Sequence, residues 1–277
     1  MNEGAQLSDE EFELIRSLVY QRFGINLGDH KRSLVVGRLQ KVLLSGGFSS
    51  FKEYYQHVVQ DPSGRALLTL VDRISTSHTY FFREREHFDF LKAVVLPEVA
   101  AGIKGGQRKD LRFWCAGCAS GEEPYSVAMV VSDFFGDNLS GMDVGILATD
   151  ISVSALEKAV QGVYPAEQLA GVPPLYRQRY FNPLGKGSWA VKEELKRMVL
   201  FRRLNLMRTE YPFKGRFQVI FCRNVMIYFD HPTKQALVER LYRYTEPGGY
   251  LFIGHSETLD QSSGLYRYVR PAVYRKI

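Results

Sequence analysis

The chain has 277 residues, 45% hydrophobic and 24% charged, which excludes an extensively disordered polymer and allows one large domain or a medium one beside a small one. A formal charge of +6 admits an acidic partner without demanding nucleic acid, and no apolar run approaches the roughly eighteen residues of a membrane span, so no membrane insertion is expected. Three cysteines, an odd and low number, fit a reducing cytoplasm.

The start, Met1 to Glu10, has no charged segment followed by an apolar one and does not read as a signal peptide. Ser8-Asp9-Glu10-Glu11 is a capping box, and Phe12, Ile15, Leu18 and Val19 follow at helical spacing. Gly24 and Gly28 interrupt this helix, and a second is predicted from Lys31 to Leu44, before Gly46-Gly47. Helical patterns continue over Ser50–Gln60 and Gly64–Ile74, giving an all-helical N-terminal domain, residues 1–76.

From Leu111 the pattern alternates. Apolar runs at 111–115, 144–148, 198–201, 217–222 and 250–253 read as strands with crossover helices between several of them, as a parallel sheet requires. Residues 163–197 break the rhythm with Pro165, Pro173, Pro174, Pro183 and a Gly185-Lys186-Gly187 turn, and read as an inserted small β element. The tail from Leu265 to Lys276 alternates tyrosines and valines around Pro271, the pattern of a terminal hairpin. The expected architecture is α/β, a Rossmann-like sheet over residues 77–277 with a small β subdomain at about 163–197.

Phe113 to Ser126 reads as a buried strand, a tight loop of small residues (Ala116-Gly117-Cys118-Ala119-Ser120-Gly121) and the acidic start of a helix. Gly145 to Asp150 is a second apolar strand ending in a carboxylate, which can accept two hydrogen bonds from a ribose diol. Together the two segments suggest an adenosine-bearing cofactor without identifying it.

These segments, with Ser75-Thr76-Ser77-His78-Thr79-Tyr80-Phe81-Phe82-Arg83-Glu84 and Ile220-Phe221-Cys222-Arg223-Asn224-Val225-Met226-Ile227-Tyr228-Phe229, carry a family resemblance. Over nearly its whole length the chain resembles the CheR-type chemotaxis receptor methyltransferases, which transfer the methyl group of S-adenosylmethionine to receptor glutamates. The resemblance implies a class I methyltransferase fold, S-adenosylmethionine as cofactor and S-adenosylhomocysteine as product. It also implies that Ser77, Thr79 and Arg83 line the cofactor site, with Ser77 standing where the family usually carries asparagine. Gly117 belongs to the glycine loop, and Glu123 matches a carboxylate near the methionine end. Asp150 matches the ribose-binding acid, Asn205 and Leu206 flank the adenine, and Arg223 and Asn224 match the motif ending the fourth strand. Arg83 and Tyr228 match the two residues given a role in transfer. The implied partners are the cytoplasmic methylation helices of chemoreceptors.

The residues suit that chemistry. A glutamate side chain, with a pKa of about 4.3, is already an anion at neutral pH, and a sulfonium is an activated methyl donor. No strong general base is needed, and no His-Asp or Cys-His pair is evident. Orientation and desolvation are the expected main effects, with Arg83 offering a planar donor fork and Tyr228 a neutral donor. On the second helix Lys31, Arg38 and Lys41 fall within an arc of roughly 80°, with Leu34 sharing it, and are expected to meet acidic receptor helices. The Asn182–Ser188 turn looks shorter than the glycine-rich turn with which some family members grip a receptor C-terminal pentapeptide, so weak or no tethering is expected.

Cys115-x-x-Cys118 lacks a second pair at ligand spacing, so no metal is expected, and His78 reads as a loop residue. A nucleic-acid amino methyltransferase is the enzymatic alternative, since Arg223 to Tyr228 loosely resembles an Asn-Pro-Pro-Tyr motif, but the prolines are absent and the basicity is weak for a duplex binder. A non-catalytic receptor-binding adaptor is the other alternative, and the presence of Arg83 and Asp150 argues against it.

Overall fold

A computed structural model describes residues 5–104 and 110–277. The N-terminal unit is four helices, α1 (Asp9–Phe23), α2 (Arg32–Gly46), α3 (Phe51–Gln60) and α4 (Arg65–Ile74). The capping box forms as its spacing predicts: Ser8 Oγ accepts the Glu11 N–H at 3.2 Å, and Glu11 Oε2 accepts the Ser8 N–H at 2.8 Å. Phe12, Ile15 and Val19 of α1 are buried against Val35, Leu39 and Leu43 of α2, Phe51 and Val58 of α3, and Leu70 and Val71 of α4, making a core separate from that of the sheet. The i, i+3, i+4 and i+7 spacings in these helices are what close that core.

After an irregular segment over 75–80, α5 (Glu86–Phe90) passes through a π-helical turn, Leu91–Val95, into α6 (Leu96–Lys104). This long helical run is an addition to the elements expected from the sequence. The sheet domain then proceeds through β1 (Asp110–Ala116), α7 (Glu122–Phe135), β2 (Asp143–Asp150), α8 (Val153–Gln161), β3 (Val163–Pro165), α9 (Pro174–Tyr180), β4 (Phe181–Gly185), β5 (Ser188–Val191) and α10 (Glu193–Lys196). It finishes with β6 (Val199–Arg203), β7 (Phe217–Cys222), α11 (His231–Tyr244), β8 (Thr245–Ile253), β9 (Tyr266–Arg270) and β10 (Val273–Lys276).

The seven-stranded sheet has the order β6-β2-β1-β7-β8-β10-β9, parallel from β6 to β8 and antiparallel from β8 onward. The tail hairpin therefore does more than close on itself: β10 pairs with β8 and extends the main sheet. The interruption at 163–197 is a separate antiparallel sheet, β3-β5-β4, with α9 and α10 beside it.

The central strands read as continuous apolar runs because both of their faces are covered. Phe113 and Cys115, Val219 and Phe221, and Tyr250 and Phe252 face α5, α6 and α7. Their neighbours Trp114, Ile220, Leu251 and Ile253 face α11 and the Tyr211–Phe217 segment. Sequence neighbours thus serve opposite layers, the period of two that a strand imposes. Chain order reverses at β1, from which the chain proceeds to β2 on one side and later to β7 on the other, so a crevice opens beyond the C-terminal ends of these strands.

Trp114 is fully buried among Tyr211, Phe213 and Phe217, and its Nε1–H donates to Thr149 Oγ1 of β2 at 2.9 Å. Trp114→Phe leaves that buried hydroxyl without its donor and is expected to cost about 1–3 kcal/mol, read as a lower urea midpoint. An unchanged midpoint would show that the Thr149 contact contributes nothing.

Candidate cofactor and acceptor site

A cavity of about 330 Å³ occupies the crevice at the strand ends. That is within the range of small-molecule sites. Its floor comes from the sheet domain through Gly117, Glu123, Asp150, Arg223 and Asn224, and one wall from the 75–83 segment through Ser77, Thr79 and Arg83. The N-terminal unit supplies a further wall through Phe23, Ile25, Leu27, Lys31 and Leu34. Asn205 and Leu206, in the loop after β6, and Tyr228 line it as well. All ten residues expected at the cofactor, and both expected at the transfer step, thus face one space.

The glycine loop owes its course to Gly117, at φ +87°, where a Cβ would lie 2.4 Å from Val225 Cγ2. Beyond it, Ala119 donates its N–H to Asp150 Oδ2 at 2.8 Å, and Ser152 donates to Oδ1 at 2.9 Å. These two bonds fix the carboxylate plane at the end of β2 and leave each oxygen acceptor capacity for a diol. Burial pushes the Asp150 carboxyl upward, and the backbone N–H groups of Ser152, Ala119 and Ile151 oppose that.

Arg223, its side chain 2% exposed, leaves the end of β7 and lies between two carboxylates. Its Nη1 donates to Glu123 Oε2 at 2.9 Å, and its Nη2 to Glu84 Oε2 at 3.1 Å and to the Arg83 carbonyl. Burial pushes Glu123 up despite the guanidinium. For the shallower Glu84, burial also raises the pKa, but the Arg223 charge and hydrogen bond prevail and hold it below the usual carboxylate range. Arg83 donates to the His78 carbonyl at 3.2 Å and lies 5.9 Å from the Tyr80 ring centroid. Lys31 Nζ sits 5.2 Å from the centroid of Tyr228, close enough for a cation–π contact.

The expected basic stripe on α2 needs correction. Arg38 Nη1 donates to the carbonyls of Ile74 at 2.6 Å and Ser75 at 2.9 Å, and Nη2 to Thr76 Oγ1 at 3.0 Å. It serves the end of α4, where the last carbonyls lack helical partners, instead of presenting free charge. Lys41 is exposed away from the cavity, and of the three only Lys31 lines it. Asn205 also has a role unseen in the sequence: its Nδ2 donates to the Arg22 carbonyl at 2.7 Å, holding the loop after β6 against the end of α1.

Two carboxylates behind the cavity support residues that line it. Glu84 stands within the Ser75–Glu84 motif, which gives no hint of its pairing with Arg223. Glu257, after β8, accepts backbone N–H groups beneath the Arg223–Tyr228 loop. A polar Gly254-His255-Ser256-Glu257 run directly after an apolar strand was the available signal. The thiols of Cys115, Cys118 and Cys222 are buried, which pushes their pKa values well above the usual range. Glu84, His87 and His255 bring metal-ligating atoms within 4.8 Å of one another, but Glu84 is already paired with Arg223, whose charge opposes a cation there.

His87, 1% exposed, has its pKa pushed down to about 3, first by burial and then by Arg223. The folded state keeps it neutral while the unfolded chain takes up a proton near its ordinary pKa of 6.5, so stability falls as pH drops from about 6.5 toward about 3. His87→Gln is expected to flatten that limb by about 1 kcal/mol between about pH 6.5 and 5.5, measured by urea unfolding. Parallel wild-type and variant curves would contradict this assignment.

Comparison with known proteins shows the family. The family model described as the CheR methyltransferase SAM-binding domain matches residues 77–274, and that of the CheR methyltransferase all-alpha domain matches residues 10–75. A chemotaxis protein methyltransferase of Borreliella burgdorferi is 42% identical over 99% of this chain and 97% of its own. Chemotaxis protein methyltransferase 1 of Pseudomonas aeruginosa is 40% identical over 95% of each. The chemotaxis protein methyltransferase of Escherichia coli is 38% identical over 94% of this chain and 88% of its own. With matching models over both its helical and its sheet portions, and relatives of this identity along nearly its full length, the chain belongs to the CheR methyltransferase family.

Proposed function

We propose that this protein transfers the methyl group of S-adenosylmethionine to glutamate side-chain carboxylates of chemoreceptors, on the cytoplasmic side of the membrane, releasing S-adenosylhomocysteine. The observation that carries the reading is the single cavity in which Asp150, Glu123 and Arg223 share space with Arg83, Tyr228 and Lys31. S-adenosylmethionine, when bound, supplies a methyl group activated by its sulfonium. Asp150, held by two backbone N–H groups, suits the ribose diol, Leu206 the adenine face, and Glu123 the cationic end of the methionine moiety. Ser77, Thr79, Asn205, Asn224 and Gly117 complete the cofactor wall.

The acceptor arrives ionised, so the protein's task is placement. Arg83 gives the carboxylate a planar donor fork. Tyr228 gives it a neutral O–H donor that orients one oxygen without adding a second full charge. Keeping the second donor neutral leaves the nucleophilic lone pairs less tightly bound. Lys31 at the Tyr228 ring draws acidic residues to the cavity, and Lys41 adds charge on the outer face of α2. The β4–β5 connection consists of Lys186 and Gly187 between paired strands, which supports weak or no gripping of a receptor C-terminal pentapeptide. A micromolar complex with such a peptide would overturn that part.

The test is transfer of labelled methyl to receptor-rich membranes, followed by mild alkali. Volatile methanol is expected from a carboxyl methyl ester, and alkali-stable label would replace this reading with nitrogen methylation. In the same assay Arg83→Ala and Tyr228→Phe should each lower kcat by about tenfold or more, a loss of about 1.4 kcal/mol of transition-state stabilisation. Wild-type rates in both would remove the acceptor roles assigned to them.

A further inference from the structure

The turn after β8 does work for the catalytic loop. Glu257 is 7% exposed and receives three backbone N–H groups. Its Oε2 accepts from Gly254 at 2.6 Å and from Asn224 at 2.9 Å, and its Oε1 accepts from Ile227 at 3.2 Å. Two of these donors belong to the loop leaving β7, and one belongs to the turn that carries Glu257 itself. The Glu257 N–H in turn donates to the Gly254 carbonyl at 2.9 Å, closing that turn.

The loop being held is not self-supporting. Asn224 sits at φ +58°, a left-handed conformation that side-chain-bearing residues adopt only at a cost. Ile227 lies inside the single 3₁₀ turn Met226–Tyr228, whose Tyr228 N–H donates to Val225 at 3.2 Å. The Tyr228 carbonyl accepts the Asn26 N–H of the helical unit at 2.8 Å. The turn is pressed close to this loop: a Cβ on Gly254 would lie 2.4 Å from Asn224 Nδ2 and 2.9 Å from Asn224 N. Only a glycine at 254 admits this approach, and only an acceptor with two oxygens meets all three donors.

We infer that Glu257 is a positioning residue for methyl transfer. By holding the N–H groups of Asn224 and Ile227 it sets the 3₁₀ turn that aims the Tyr228 hydroxyl at the acceptor carboxylate. Charge-assisted bonds to backbone N–H groups are about twice as strong as neutral ones, so a carboxylate here rigidifies the loop more than an amide does. This inference rests on the role assigned above to Tyr228.

The test is a double-mutant cycle between Glu257→Gln and Tyr228→Phe, read as kcat at saturating S-adenosylmethionine and receptor membranes. Glu257→Gln alone is expected to lose about tenfold, and to cost less than about twofold more once Tyr228→Phe is present, because the hydroxyl it positions is gone. Multiplicative losses, or a wild-type rate for Glu257→Gln, would overturn the inference. A wild-type rate for Tyr228→Phe alone removes the underlying role of Tyr228, and this inference with it, so the single variant separates the two failures. Should Glu257→Gln not fold, Glu257→Asp, which keeps the charge but draws it back by one methylene, carries the same cycle with the same two outcomes.

Discussion

The structure depends on the buried guanidinium of Arg223 and the two carboxylates beside it. Taking these charges out of water is costly, and their attraction and hydrogen bonds offset that cost only while all the partners stay in place. Removing one partner of such a pair costs about 3–5 kcal/mol, because the other is left buried and uncompensated. Through this one side chain the end of β7 is joined to the first turn of α7, by Glu123, and to the 83–84 segment that leads out of the helical unit, by Glu84 and the Arg83 carbonyl. Three parts of the chain that meet nowhere in sequence become the floor and wall of one cavity.

Around that centre the fold supplies position and the loops supply chemistry. The reversal of strand order at β1 opens the crevice, and Gly117 lets the loop after β1 pass against Val225. The helical unit is more than an attachment: Asn26 holds the Tyr228 carbonyl, Asn205 holds the Arg22 carbonyl, and Tyr20 donates to Asp230 at 2.7 Å. The helical unit is consequently part of the cavity wall, held against the sheet domain by these contacts.

Much of this was legible in the sequence, for identifiable reasons. Capping boxes and apolar periodicity are local, so α1 and the four-helix unit could be read directly. Central strands covered on both faces carry unbroken apolar runs, such as Phe113–Cys115 and Tyr250–Ile253, so β1, β2, β7 and β8 stood out, as did the carboxylate ending β2. What could not be read depended on long-range partners. Arg38 looks like surface charge until α4 ends beneath it, and Asn205, which lines the cavity, also holds the end of α1, a partner distant in sequence. The tail reads as a hairpin, but its place beside β8 is a matter of register between distant segments. Glu257 is a carboxylate in a polar turn, and its three backbone partners span 30 residues or more of chain for two of them. The resemblance to a known family supplied roles for Arg83, Glu123 and Tyr228 that spacing alone does not.

The most direct measurement is calorimetric binding of S-adenosylhomocysteine to Arg223→Lys beside the wild-type protein. Lysine keeps the charge but not the planar fork, so it cannot bridge Glu123, Glu84 and the Arg83 carbonyl together. The account predicts affinity lower by about tenfold or more, with a cooperative melting transition retained. Wild-type affinity in that variant would show that the cavity assembles without this cluster, and would contradict the account at its centre.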